Sequence, residues 1–380
     1  MAVRIIQIKT LVNNNDSHLL FAYPVLRCLF NPMMTTRLPA LLFCLAGLFP
    51  LQAIGEANNN STDQTQSLNI YSFRKTDLIA PILDNFTEQY GIQVNVISGK
   101  ADRLMDRLRA DGMKSQADLL LTSDVTRLEQ AKIAGLLQPL ASEFLTQHVP
   151  RELRDSKGYW FGISVRARAI FYARNKVSAE AIASYQDLAT PQWQGKVCVR
   201  KGSHIYNRSM LAGFIARMGE PATERWVSGL VANLAVRPNG GDRDQLRKLN
   251  QGICDLALAN SYYYGMLSAS ENEQDRQVYE NVGVIWPDQD QYGTHINISG
   301  AAITAASSHQ ASAKLFIEFL LTEEAQQIYA QSNYEYPVRA DVKASELVRS
   351  WGKAKFDYAS LPKLNYATKQ AQALALKYGW

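Results

Sequence analysis

The sequence predicts an α/β protein of two lobes that close on a shared cleft. Three observations carry this. Short apolar runs alternate with stretches of helical periodicity, the pattern of a largely parallel sheet. The alternation comes in two sets, separated by a long extended stretch at 159–174. No zinc-type H-E-x-x-H motif, nucleophile elbow or phosphate loop interrupts it. The 380 residues and 47% hydrophobic content suffice for two cores.

Residues 68–72 read as a strand. Residues 77–91 read as a helix, with Ile82, Leu83 and Phe86 at helical spacing, Asp77 as N-cap, Pro81 in the first turn and Gly91 as the stop. A strand at 93–99, a helix at 101–112, a buried strand at 118–122 and a helix at 125–135 follow. Residues 159–174 read as two extended segments that cross between lobes. The second set has a strand at 196–200, helices at 207–219, 222–234 and 243–252, and a strand at 253–259. Strands at 281–287 and 297–304 precede a helix pair over 311–331. We expect one lobe from 68–165 and about 290–330, and the other from 166–289 and about 331–380.

Residues 34–57 have the layout of a secretory signal rather than a membrane anchor. Arg37 is basic, 38–51 is apolar, and Ala53, Gly55 and Ala57 are small, with cleavage expected near Ala53 or Ala57. Residues 1–33 lack any such pattern and are expected not to be translated, and the polar lead 58–67 is expected to be disordered. Cys28 and Cys44 fall in or before the signal. Cys198 and Cys254 remain, and export favours a bridge between them, although nothing in the sequence shows their backbones to be close. A net charge of +5 without a Lys/Arg stripe offers no case for nucleic acid.

The stretch NSYYYGML at 260–267 places three phenols after an apolar strand. In an extended chain, neighbouring side chains point to opposite faces. A helix started by Asn260 or Ser261 would instead separate them by roughly 100°. Tyr262 and Tyr263 could then reach a cleft at the strand's carboxyl end while Tyr264 packs elsewhere. Tyr206, in SHIYNRS, reads as a loop residue at another carboxyl end, with Asn207 or Ser203 capping the next helix. Singly, each tyrosine reads equally well as packing or carbohydrate stacking. Converging, they suit a hard trivalent cation, which takes oxygen ligands and displaces their protons. An anion completing the shell needs a guanidinium, and Arg74, Arg166 and Arg168 are candidates.

The blocks LNIYSFRKTDLIAPIL, ADLLLTSDVTRL, YWFGISVRARAIFY, KVCVRKGSHIYN, RPNGGDRDQL, GICDLALANSYYYG and GTHINISGAA together resemble periplasmic ferric-ion-binding proteins, the solute receptors of iron(III) ABC importers. The resemblance runs from about residue 68 to 380. It implies a type II periplasmic-binding-protein fold with Fe3+ in the interdomain cleft, and a monomer served by an inner-membrane permease and its ATPase. Tyr262 and Tyr263 match the family's paired tyrosines and Tyr206 a further one. Some members add first-lobe ligands, but Lys75 and Thr76 stand where those have His-Tyr, and their carboxylate position falls on Ser123, next to Asp124. This points to the subgroup with three tyrosines and a carbonate, the anion held by Arg74 and Arg166, so that one lobe holds the metal. The resemblance also matches Cys198 with Cys254.

Arg168, Asp124 and His204 are candidates for contacts behind the ligands, His204 reading more simply as a solvated loop residue. His295 reads as lying near a crossover between lobes. Residues 240–244, GGDRD, read as a turn and helix cap with a solvated Arg/Asp pair. Competing readings are a same-fold receptor for a polyamine, phosphonate or oxyanion, and a periplasmic carbohydrate-active enzyme.

Overall fold

The computed structural model describes residues 67–74 and 76–380. The leader, the residues ahead of it, the polar lead to 66 and Lys75 lie outside the described residues.

Strand Ser67–Ser72 buries Leu68, Ile70 and Tyr71, and pairs in parallel with Gln93–Ser98 on one edge and Leu119–Thr122 on the other. Leu119, Leu120 and Leu121 are wholly buried, as befits an inner strand covered on both faces. Helix Ala80–Tyr90 turns Ile82, Leu83 and Phe86 inward and ends at Gly91, whose φ of 68° suits glycine. The N-cap position is Ile79 and not Asp77. The chain first makes a 3-10 turn, Thr76–Leu78, and the helix begins at Ala80 with Pro81 in its first turn, where the missing N–H costs nothing.

Where two extended segments were expected, there is one strand, Phe161–Ala173, 13 residues long. Its first part, Phe161 to Ala167, pairs antiparallel with Ile296–Thr304, which also pairs with Leu119–Thr122. From Arg168 it changes partner to Leu256–Asn260, itself parallel to Val197–Cys198, and Val282–Ile285 lies on its other edge. One strand therefore belongs to both sheets. Its register shifts between Gly162 and Ser164, and it carries arginines at 166 and 168. Both arginines are nevertheless buried. Helices Gln310–Leu320 and Glu323–Asn333 follow, the first placing Phe316 edge-on to Phe86 at 4.9 Å. Helix Thr368–Lys377 packs against Ile205–Met218 on the second side.

Arg168 is held by a polar network. Its guanidinium donates to Asp242 Oδ2 and Asn260 Oδ1, each at 3.0 Å, and to Asn207 Oδ1 at 2.6 Å. Asp242 also takes the Asn260 N–H at 2.9 Å and Arg200 at 3.2 Å. Residues 240–244 do form a turn and helix start, but Asp242 is 1% exposed, so its carboxylate is a buried countercharge and not a solvated one. Burial alone would raise its pKa, yet Arg168 and Arg200 hold it below the usual carboxylate range.

Cys198 and Cys254 are bridged, with Cα atoms 5.9 Å apart, tying Val197–Cys198 to the chain entering Leu256–Asn260. Replacing both by serine should lower stability by about 4 kcal/mol through loop entropy, read as a shift of the urea midpoint that reductant reproduces in the parent protein. Asp242→Asn strands the Arg168 charge and should cost about 3–5 kcal/mol. That contribution is full above the unfolded carboxyl pKa of about 3.9 and is lost as pH falls through the depressed folded value. The variant should therefore show a shallower acid limb in its stability–pH curve.

Candidate metal centre

Strand Leu256–Asn260 runs straight into helix Ser261–Ser268, with Asn260 extended at the cap. Tyr262 and Tyr263 fall in the first turn, their ring centroids 4.2 Å apart. Tyr264 faces the core, 1% exposed, and its hydroxyl donates to the Tyr279 and Val282 carbonyls at 2.9 and 2.6 Å. The helix start thus sends two phenols one way and the third another. On the same helix Gly265 meets the ring of Tyr334, which any Cβ at 265 would overlap. Tyr334 follows helix Glu323–Asn333 at φ 56°.

Tyr206 lies in the first turn of helix Ile205–Met218 and not in a loop. The cap is His204, in place of Asn207 or Ser203: its Nδ1 accepts the Tyr206 N–H at 3.3 Å. Burial, then the charge of Arg200, push the imidazole pKa down to about 3, which keeps it a neutral acceptor. His204 is therefore a half-buried cap where a solvated loop histidine was the simpler expectation. The preceding loop is pinned by Trp380, whose Nε1 donates to the Arg200 carbonyl at 2.9 Å and whose carbonyl accepts Gly202 N–H at 3.1 Å. The Tyr206 and Tyr262 hydroxyls meet at 3.2 Å.

These phenols open on a cavity of about 320 Å³. Tyr206, Tyr262, Tyr263, Arg243 and Met266 line one side; Phe73, Arg74, Leu78 and Ser123 line the other, with Arg166 beside them. Strands Ser67–Ser72, Leu119–Thr122, Val197–Cys198 and Leu256–Asn260 all point their carboxyl ends toward it, the usual place for a ligand in such sheets. No carboxylate or histidine is among the lining residues. Among the described residues no group of three or more His, Cys, Asp and Glu side chains could hold a metal ion, and the cavity's side-chain oxygens are the three phenols and the Ser123 hydroxyl. Burial, then the neighbouring Tyr206, raise the Tyr262 and Tyr263 hydroxyls well above the ordinary phenol value. Positive charge opposes this: the Arg166 and Arg200 guanidiniums lie over the Tyr206 ring at 5.7 and 5.2 Å.

The arginines differ in what they are free to bind. Arg74 reaches the cavity but is forked onto buried Glu335, through Nη2 and, at 3.1 Å, Nη1, and Nη1 also donates to Ser299 at 2.9 Å. Burial disfavours its charge, and Glu335 more than restores it. Arg166 donates to the Ser123 carbonyl and to that of Ile298 at 3.0 Å, and its buried Nε has no partner. Arg168 stays behind the tyrosines on its own network. Asp124 caps helix Val125–Ile133, and its oxygens are taken by Thr126, by Ser209 at 2.7 Å and by Asn297 at 2.6 Å. His295 is buried at the crossover, its carbonyl accepting the Arg168 N–H at 2.9 Å. Sequence reasoning missed Glu335, Asp242, Arg200 and Arg243. Only 240–244 carried a visible signal, as a helix start in the right block.

Residues 114–359 match the family described as bacterial extracellular solute-binding protein. The chain is 42% identical over 317 residues to iron uptake protein A1 of Synechocystis sp., covering 83% of this chain and 88% of that one. Among solved structures, a Trichodesmium protein (IdiA, FutA) in complex with iron and citrate ligands aligns with a TM-score of 0.79 and 38% identity, covering 83% of this chain and 99% of that one. A ferric binding protein from Campylobacter jejuni aligns with a TM-score of 0.79 and 40% identity, covering 82% and 99%. The shared strand and the two sheets are thus those of a two-lobed binding protein and not of an enzyme, and the chain belongs to the bacterial extracellular solute-binding protein family, among its ferric-ion-binding members.

Proposed function

We propose that the chain is a periplasmic receptor that binds ferric iron through the phenolates of Tyr206, Tyr262 and Tyr263, with carbonate as synergistic anion, and delivers it to an inner-membrane ABC permease and its ATPase. The observation that carries this is the meeting of three phenols on one cavity, with the hydroxyls of Tyr206 and Tyr262 3.2 Å apart. Three phenolates cancel the charge of a trivalent cation. The buried phenols are protonated at neutral pH, so the metal must displace their protons, which a hard, highly charged ion does best.

The anion's charge falls first on Arg166, since Glu335 already balances Arg74. Phe73 and Leu78 make the facing wall largely apolar, in keeping with a metal held by one lobe. We infer that the lobes divide near 165/166, where the shared strand is about to change partners, and that 34–57 directs export. The relatives named for iron uptake and ferric binding support the cargo. A polyamine would need carboxylates, and the cavity lining has none.

Ferric phenolate absorbs visible light, so iron-loaded protein should be orange to red. Tyr262→Phe/Tyr263→Phe should abolish the colour and weaken ferric binding by more than the roughly 10–100-fold that the outer partners of metal ligands are worth. Iron content and the visible spectrum check this. Full colour and unchanged iron content in the double variant would overturn the ligand assignment.

A further inference from the structure

The two helices that carry the phenols are anchored differently. Helix Ser261–Ser268 continues strand Leu256–Asn260 without a loop. Helix Ile205–Met218 follows strand Val197–Cys198 only after the loop 199–204. Asn207 Oδ1, on the Arg168 guanidinium at 2.6 Å, fixes one point of that helix. One point leaves the tilt free, and Tyr206 stands directly ahead of it.

The loop sets the tilt. The Arg200 carbonyl accepts Asn207 Nδ2 at 3.0 Å and Trp380 Nε1 at 2.9 Å. The Lys201 carbonyl accepts Asn207 Nδ2 and the His204 N–H, each at 3.1 Å. The Gly202 N–H donates to the Trp380 carbonyl at 3.1 Å. Of these partners only Trp380 lies outside the loop and the helix it leads into. The approach is as close as glycine permits: a Cβ at 202 would stand 2.6 Å from Trp380 Cγ and 3.0 Å from Ala375 Cβ. Trp380 is itself fixed. It is 6% exposed, its N–H donates to the Ala375 carbonyl at 2.9 Å, and its ring lies 5.9 Å from that of Trp226 on helix Glu220–Ala232. Tyr378, two residues before it, donates to Glu224 of the same helix at 2.9 Å.

We propose that Trp380 is a positioning residue for Tyr206. Its Nε1, its carbonyl and its ring clamp the loop at 200–202, and the clamped loop holds the Tyr206 phenol on the focus shared with Tyr262 and Tyr263. This rests on the ferric reading above. Trp380 reaches no ligand atom and acts only through the loop. The leverage is large, because a metal site needs its donors within roughly 0.5 Å of the productive geometry. A shift of the loop also moves Arg200, whose guanidinium stands over the Tyr206 ring at 5.2 Å.

The test titrates ferric ion with bicarbonate, against nitrilotriacetate as competing chelator, and reads affinity and the visible band. The proteins are the parent, Trp380→Phe, Gly202→Ala, Tyr206→Phe, and the first two changes each combined with Tyr206→Phe. Trp380→Phe keeps an aromatic ring and removes the N–H. Gly202 has no left-handed φ, so alanine there is opposed by its neighbours' side chains and not by its own backbone. Each single variant should weaken ferric binding about tenfold, the lower end of what outer partners of metal ligands are worth, and dim the band toward that of Tyr206→Phe. In the Tyr206→Phe background neither should change affinity by more than about twofold, the scatter of uncoupled sites. A loss repeated in full in that background would show a general structural effect and overturn the positioning role. Unchanged affinity and colour in both single variants would overturn it as well, and either result leaves the ferric site standing. A parent protein that develops no phenolate band overturns the ferric reading and this role together.

Discussion

A single buried guanidinium sets where the phenols begin. Arg168 leaves the shared strand at the residue where that strand changes sheets, and its planar fork binds Asn260 and Asn207. Asn260 stands just ahead of the helix carrying Tyr262 and Tyr263; Asn207 follows Tyr206 directly. Two helices far apart in sequence are thus indexed to one rigid group. Asp242 supplies the countercharge that makes the burial tolerable, and its second oxygen holds Arg200 beside Tyr206. Without it the cation would stand unpaired in a low-dielectric interior, a loss of several kcal/mol.

The two cavity walls then have unequal tasks. One wall carries the three phenols. The other brings shape: Phe73 and Leu78, the Ser123 backbone, and an arginine already balanced by Glu335. Glu335 also accepts from Ser164 on the shared strand and precedes Tyr336, which pairs with Val165 of that strand. The crossover therefore orients Arg74, a charged group of the cavity lining.

The parts of the fold that rest on local periodicity were legible from the residues alone. The helix at 80–90 with its glycine stop, the strand before the tyrosines, and the divergence of Tyr264 from Tyr262 and Tyr263 follow from spacing and from the helix-starting Asn260. What was not legible rests on pairings between distant residues. Asp242 looks like a solvated turn residue until Arg168, 74 positions away, is seen to bury it. Arg74 looks free until Glu335 arrives from 261 positions on. The stretch read as two extended segments is one strand, 161–173, and only tertiary partners let its two charged residues sit buried there. His204 was missed as a cap because a histidine at that position is uncommon beside the usual Ser, Thr, Asp and Asn.

The contact of Tyr334 with Gly265 carries a mechanical consequence. The tyrosine helix is only eight residues long, and the hold on Asn260 fixes its leading end alone. A roll of one residue is about 100° and would bring Tyr264 or Met266 under the Tyr334 ring, where even a single methyl has no room. The notch at 265 therefore acts as a detent: the azimuth of the phenols is held by the fit of the Tyr334 ring against the bare backbone of Gly265.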